Sequence, residues 1–152
     1  MTLQSPERRK WLDRVAPLVG VILGLGGWSR GTRAAASNDD RKRFMAGAYE
    51  MRERAIASGD QAFGAVVVQG GRIVGEGVSA VLTTPDPTAH GEMQAIRDAA
   101  RRLGTPKLAG CELYTTFRPC PMCETAAYWA GIERIFYGEA ITDAGAPRYC
   151  RC

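Results

Sequence analysis

The chain has 152 residues, enough for one domain with a real core, and its composition is that of an ordinary globular protein. Its net charge of +4 is unevenly placed: residues 1–36 carry six basic against two acidic side chains, and the remainder fourteen of each. The larger part therefore lacks the basic bias that argues for a nucleic-acid partner, and the five cysteines do not read as a disulfide framework.

Residues 1–36 stand apart. Arg8-Arg9-Lys10 precedes an uncharged apolar run from Val15 to Trp28, then the small residues Ala34-Ala35-Ala36. The run is shorter than the roughly 20 apolar residues of a membrane span. The order matches a cleavable export signal, with an uncleaved membrane anchor as the alternative. The paired arginines resemble a twin-arginine signal, although Glu7, Trp11 and Asp13 depart from that pattern. The segment predicts export to the periplasm; the alternative is the cytoplasm. On this reading the membrane concerns the signal segment only.

Residues 39–57 read as a helix, with Phe44, Ala48, Met51 and Ala55 on one stripe and Asn38 and Asp39 able to cap it. Residues 58–60 end it. Residues 62–68 form a valine-rich strand covered on both faces. Gln69-Gly70-Gly71 turns the chain, and 72–78 return as the hairpin partner. Residues 79–88, with Pro85 and Pro87, are a loop. A second helix is expected over 88–103, with Met93, Ile96, Ala100 and Leu103 inward and Gly104 as its stop. A strand at 112–116, a helix at 121–130 ended by Gly131, and a strand at 134–137 complete the order. This α-β-β-α-β-α-β succession predicts a three-layer α/β/α domain with a central mixed sheet over residues 37–145, followed by a short tail, 146–152.

The chemistry lies between His90 and Cys123. His90 is the only histidine, Glu92 follows two residues later, and Cys120 and Cys123 form a Cys-x-x-Cys pair about thirty residues on. Residues three apart share one helix face, and Pro119 and Pro121 suit the start of that helix. The positive field of a helix N-terminus favours thiolates, the form that binds metal. One nitrogen and two sulfurs make a three-ligand Zn2+ site, with the fourth position left to water as in catalytic zinc sites. Histidine and glutamate two apart face different ways within a regular helix, so the pair is placed in an irregular first turn. Glu92 is then the carboxylate that takes and returns protons. A closed zinc knuckle is the alternative, its fourth ligand drawn from Cys111, Cys150 or Cys152.

His-x-Glu followed by Pro-Cys-x-x-Cys is the pattern of zinc deaminases. With Phe63-Gly64-Ala65-Val66, Gly75-Glu76-Gly77, Asp86-Pro87-Thr88-Ala89-His90 and Leu113-Tyr114-Thr115-Thr116, the chain resembles the zinc-dependent cytidine deaminase superfamily, purine-acting branch. Cys-Pro-Met-Cys followed by Tyr128-Trp129-Ala130 is more similar to guanine deaminases. The resemblance implies a cytidine deaminase-like α/β fold and zinc held by His90, Cys120 and Cys123. It implies hydrolytic deamination of a free purine base, guanine or a related aminated heterocycle, with Glu92 as proton shuttle. It also implies a homodimer. Phe63 matches a pocket aromatic, Gly91 a backbone N–H contact to the substrate, and Trp129 a wall of the guanine pocket; core packing is the alternative for both aromatics. Ser79 stands where the family has a substrate-binding asparagine. Arg118 reverses the usual glutamate. An acid in the C-terminal segment of guanine deaminases has no counterpart unless Asp143 or Tyr149 replaces it. A tRNA adenosine deaminase shares the signature and is the alternative, as is a catalytically weakened, zinc-stabilised domain. The balanced charge of 37–152 argues against nucleic acid, and for a small-molecule nucleobase.

Overall fold

The computed structural model describes residues 36–149. The proposed signal, except Ala36, and both terminal cysteines fall outside the described residues. No helix among the described residues is long and apolar enough to cross a membrane.

Helix α1, Asn38–Ala57, begins one residue earlier than expected, because Ser37 is its cap. The Ser37 hydroxyl oxygen accepts from the Asp40 N–H at 3.1 Å and the hydroxyl donates to the Asp40 carboxylate at 2.7 Å, a reciprocal closure of the first turn. Strands β1, Gly64–Gln69, and β2, Arg72–Val78, form an antiparallel hairpin. Gly70 and Gly71 turn it with φ of 58° and 78°, the left-handed pair that a two-residue hairpin needs. Helix α2 spans Gly91–Leu103, β3 Cys111–Thr115, α3 Pro121–Ala130 and β4 Arg134–Tyr137. A fifth strand, β5, Thr142–Gly145, was not expected. It is polar and mostly exposed, so it lacks the alternation that marks a strand in sequence. It is held by antiparallel pairing to β4 and by the Arg134–Asp143 ion pair.

The sheet order is β2-β1-β3-β4-β5, with β3 and β4 parallel and the other pairs antiparallel. The mixed sheet follows from α3, which supplies the crossover between the two parallel strands. Side chains alternate across it. Ala65, Val67, Leu113 and Ile135 join α2 and α3 in one core. Val66, Val68, Tyr114 and Phe136 join α1 in the other. This is the expected three-layer α/β/α arrangement.

The inward face of α2 differs from expectation. Glu92, Ala95, Ile96, Asp98 and Ala99 are buried, whereas Met93, Ala100 and Leu103 are only partly covered. The reason is β2. A Cβ on Gly75 would collide with the Ala95 carbonyl oxygen, and one on Gly77 with the Gly91 carbonyl oxygen. The helix lies directly on glycine backbone, so its small residues face inward. Asp98 adds a polar tie, accepting from the Glu76 N–H at 3.0 Å. Gly104 and Gly131 end α2 and α3 in left-handed conformations, as expected.

Candidate metal centre and active site

His90 lies one residue before α2, as its cap, and not inside a helix starting at 88. Cys120 holds the same position on α3. Both are extended, and neither side chain makes the capping hydrogen bond that Ser, Thr or Asp makes there. Each is therefore free to point away from its helix. The pattern His90-Gly91-Glu92 thus splits between a cap and a first turn, and this lets histidine and glutamate reach one centre.

The three candidate ligands converge. His90 Nδ1 is 3.7 Å from Cys120 Sγ and 3.6 Å from Cys123 Sγ, and the two sulfurs are 3.6 Å apart. The sulfurs are too distant for a disulfide, whose S–S bond is about 2.0 Å. A tetrahedral zinc ion with bonds of about 2.3 Å to sulfur and 2.0 Å to nitrogen would separate two sulfurs by about 3.8 Å and sulfur from nitrogen by about 3.5 Å. The donor set and its spacing fit that ion. Among the described residues no further His, Cys, Asp or Glu joins the group, and three protein ligands leave the open position of a catalytic site. Cys111 lies buried at the start of β3, outside the group.

Glu92 is buried at 6% exposure, and its Oε2 is 3.7 Å from Cys123 Sγ. The Cys123 thiol is pushed up, first by burial, then by Glu92 and Cys120 beside it. These effects oppose the favourable field of the helix N-terminus. A divalent cation among these groups is the charge that reverses the balance.

The pocket residues fall into two sets. Gly91 sits against Gly64, and a Cβ on it would lie 3.1 Å from the Gly64 Cα. As the first residue of α2, its N–H has no acceptor within the helix. Phe63, half-buried, precedes Gly64 and packs edge-on to Phe117, with centroids 5.8 Å apart at 82°. Phe117 was not singled out in the sequence; its signal is an exposed aromatic three residues before Cys120. Thr116 closes this corner, its hydroxyl accepting from the Gly64 N–H at 3.2 Å. Ser79 and Trp129 lie differently. Ser79 is buried, and its hydroxyl donates to Asp60 at 2.9 Å. Trp129 is 62% exposed and packs against Tyr128 and Tyr149. Asp143 is occupied by Arg134, and Arg118 is exposed.

An α/β/α domain with a histidine–dithiol metal centre beside a buried carboxylate defines a class of zinc hydrolase folds. The chain belongs to the cytidine and deoxycytidylate deaminase family, whose zinc-binding region matches residues 38–139. It is 51% identical over 82 residues to guanine deaminase from Bacillus subtilis, covering 54% of this chain and 53% of that protein. It is 42% identical over 94 residues to a tRNA-specific adenosine deaminase from Aquifex aeolicus, covering 62% of each. The X-ray structure of the Bacillus subtilis guanine deaminase matches with a TM-score of 0.62 at 43% identity, over 64% of this chain and 62% of that one. The chain spans about half the length of the guanine deaminase it matches.

Proposed function

We propose that the chain is a zinc-dependent hydrolase that deaminates a free purine base, guanine or a related aminated heterocycle. The observation that carries this is a buried carboxylate, Glu92, beside a three-ligand site with no fourth ligand among the described residues. His90, Cys120 and Cys123 hold the zinc. Zinc, when bound, lowers the pKa of water towards about 7 and so supplies a nucleophile at neutral pH. Glu92 takes one proton from the attacking water and delivers it to the ring nitrogen, then takes the second from the new C–OH and delivers it to the departing amine as the carbonyl forms. Water and the amino heterocycle become a carbonyl heterocycle and ammonia, with no other reactant. The Gly91 N–H meets a substrate oxygen. Phe63 packs on the ring. Trp129 is the remaining pocket candidate, since the buried Ser79 hydroxyl is already given to Asp60.

The test is ammonia release from guanine by the zinc-loaded protein, with Glu92→Ala as control. Release that vanishes in the control, with zinc content unchanged, supports the reading. No release from guanine or other aminated purines, with zinc bound and the fold intact, favours a weakened, zinc-stabilised domain. A second reading, adenosine deamination in tRNA, is supported by similarity to the Aquifex aeolicus relative. It requires salt-sensitive tRNA binding, which the balanced charge of 37–152 does not favour. Segment 1–36 is a twin-arginine-type signal, and periplasmic protein lacking it is the expected product; cytosolic protein with Met1 intact would rule this out. The active species is a homodimer, testable by sedimentation.

A further inference from the structure

Asp60 carries more hydrogen bonds than any other described side chain, and none of its partners is obvious in the sequence. Its backbone N–H donates to the Ala55 carbonyl at 2.9 Å, which fixes it to the end of α1. Its Oδ1 accepts from the Gln61 N–H at 2.8 Å, the Ser79 hydroxyl at 2.9 Å and the Val81 N–H at 3.1 Å. Its Oδ2 accepts from the Leu82 and Thr83 N–H groups, both at 2.8 Å, and from the Thr83 hydroxyl at 3.0 Å. These six donors exceed the roughly four lone-pair sites of a carboxylate, so some share a site, and such charge-assisted bonds are stronger than neutral ones.

Five of the six donors belong to residues 79–83, the first half of the loop that joins β2 to α2. Leu82, Thr83, Thr84, Pro85 and Pro87 are exposed. The loop has little apolar burial of its own, so it would belong to the least stable part of the fold without a polar anchor. Its second half is tied to the first. The Ala80 N–H donates to the Ala89 carbonyl at 2.9 Å, and the Asp86 N–H to the Val81 carbonyl at 3.2 Å. The Ala89 N–H donates to the Asp86 carbonyl at 3.0 Å. Ala89 is followed by His90. Asp60 thus holds Ser79 and Val81, the two chain neighbours of Ala80, and Ala80 in turn bonds to Ala89, the residue that precedes the candidate histidine ligand.

We propose that Asp60 is the positioning residue for His90: its carboxylate orders residues 79–83, and the Ala80–Ala89 bond passes that order to the ligand. The inference rests on the reading of His90 as a zinc ligand. It also accounts for Ser79, whose hydroxyl serves this anchor. The anchor is charged at neutral pH: burial pushes the Asp60 carboxyl up, but hydrogen bonds from Thr83, Gln61, Ser79 and Leu82 outweigh that push and hold it well below the usual carboxylate range.

The test uses the full-length protein and the Asp60→Asn variant, which keeps the shape and loses the charge. Zinc affinity is measured by chelator competition, and amide exchange is followed along residues 80–91. The expected result is a loss of zinc affinity of about tenfold, as for residues that support a ligand from behind, with faster exchange at Ala89, His90 and Gly91 as well as at 80–83. Asp60→Glu restores part of the affinity. Phe136→Ala, a core variant on the α1 face of the sheet, separates positioning from mere stability; at matched stability its zinc affinity stays at the wild-type value. Should Asp60→Asn fail to fold, Thr83→Val removes one of the six bonds and gives a smaller shift in the same direction. Wild-type affinity and unchanged exchange at 89–91 in Asp60→Asn would overturn the proposal, as would an equal loss in Phe136→Ala. A wild-type protein that binds zinc but releases no ammonia counts against the proposed reaction alone, since the zinc and exchange measurements still decide the role of Asp60.

Discussion

The backbones of Gly77 and Gly91 are in contact. A Cβ on Gly91 would lie 3.2 Å from the Gly77 carbonyl oxygen, and a Cβ on Gly77 would run into the Gly91 carbonyl oxygen and the Ala95 nitrogen. The two positions are therefore not equivalent. Gly77→Ala must move backbone on both sides, and is expected to cost about 3 kcal/mol or more, the upper end for overpacking. Because the displaced turn carries Gly91 and Glu92, zinc content should fall with stability. Gly91→Ala needs only a few tenths of an ångström and gains helix propensity, so its net change should stay within about 1 kcal/mol. Urea unfolding and metal analysis of both variants check the contrast.

Removal of zinc by a chelator is expected to loosen the fold as well as the site. The ligands are 33 residues apart at their widest. A cross-link closing such a stretch is worth about 4 kcal/mol in the chain-entropy picture. The apparent Tm should fall on the order of 10 °C on chelation and recover on adding zinc. A Tm indifferent to chelator, with zinc demonstrably removed, would contradict the cross-link.

Asp60 makes a prediction about acid. Its folded pKa lies below its ordinary value of 3.8. The stability it contributes is therefore complete above the ordinary carboxylate range and is lost only as pH falls through the lower, folded value. The stability difference between wild type and Asp60→Asn should accordingly stay constant from pH 7 to about pH 5, persist near pH 4 where free aspartate titrates, and close only below that. A difference already vanishing at pH 5 would mean that the carboxylate is not held as described.

On the far face of the sheet, Tyr114 stacks on Phe136 with centroids 4.8 Å apart and tilts against Phe44 at 5.3 Å. Phe136→Ala should cost about 3–5 kcal/mol. This face belongs to α1, whereas the metal centre lies among the caps of α2 and α3. Activity per folded molecule should therefore change little, which a comparison of unfolding curves with specific activity would test.

Much of this was legible in the sequence, for identifiable reasons. The β1 strand is apolar at every buried position, and α3 is marked by Pro121 and Gly131 at its ends. His90, Glu92, Cys120 and Cys123 were singled out by their motif and donor types, and the structure brings them together. Three features could not be read from the sequence. The face of α2 is set by glycines on another element, so its own hydrophobic residues mislead. The β5 strand is defined by pairing and not by apolar alternation. Asp60 reads as part of a helix stop, because five of its six donors lie 19 to 23 residues away.

Trp129 is the only tryptophan among the described residues, on the same helix as Cys123, with Tyr128 and Tyr149 at 5.5 Å and 5.7 Å from its ring. The nearby tyrosines can pass absorbed light to it, and its exposed indole senses the solvent along α3. With Trp11 and Trp28 changed to phenylalanine, the protein carries its own optical probe of that helix. Emission could then be followed as zinc is titrated, without a label and without a substrate.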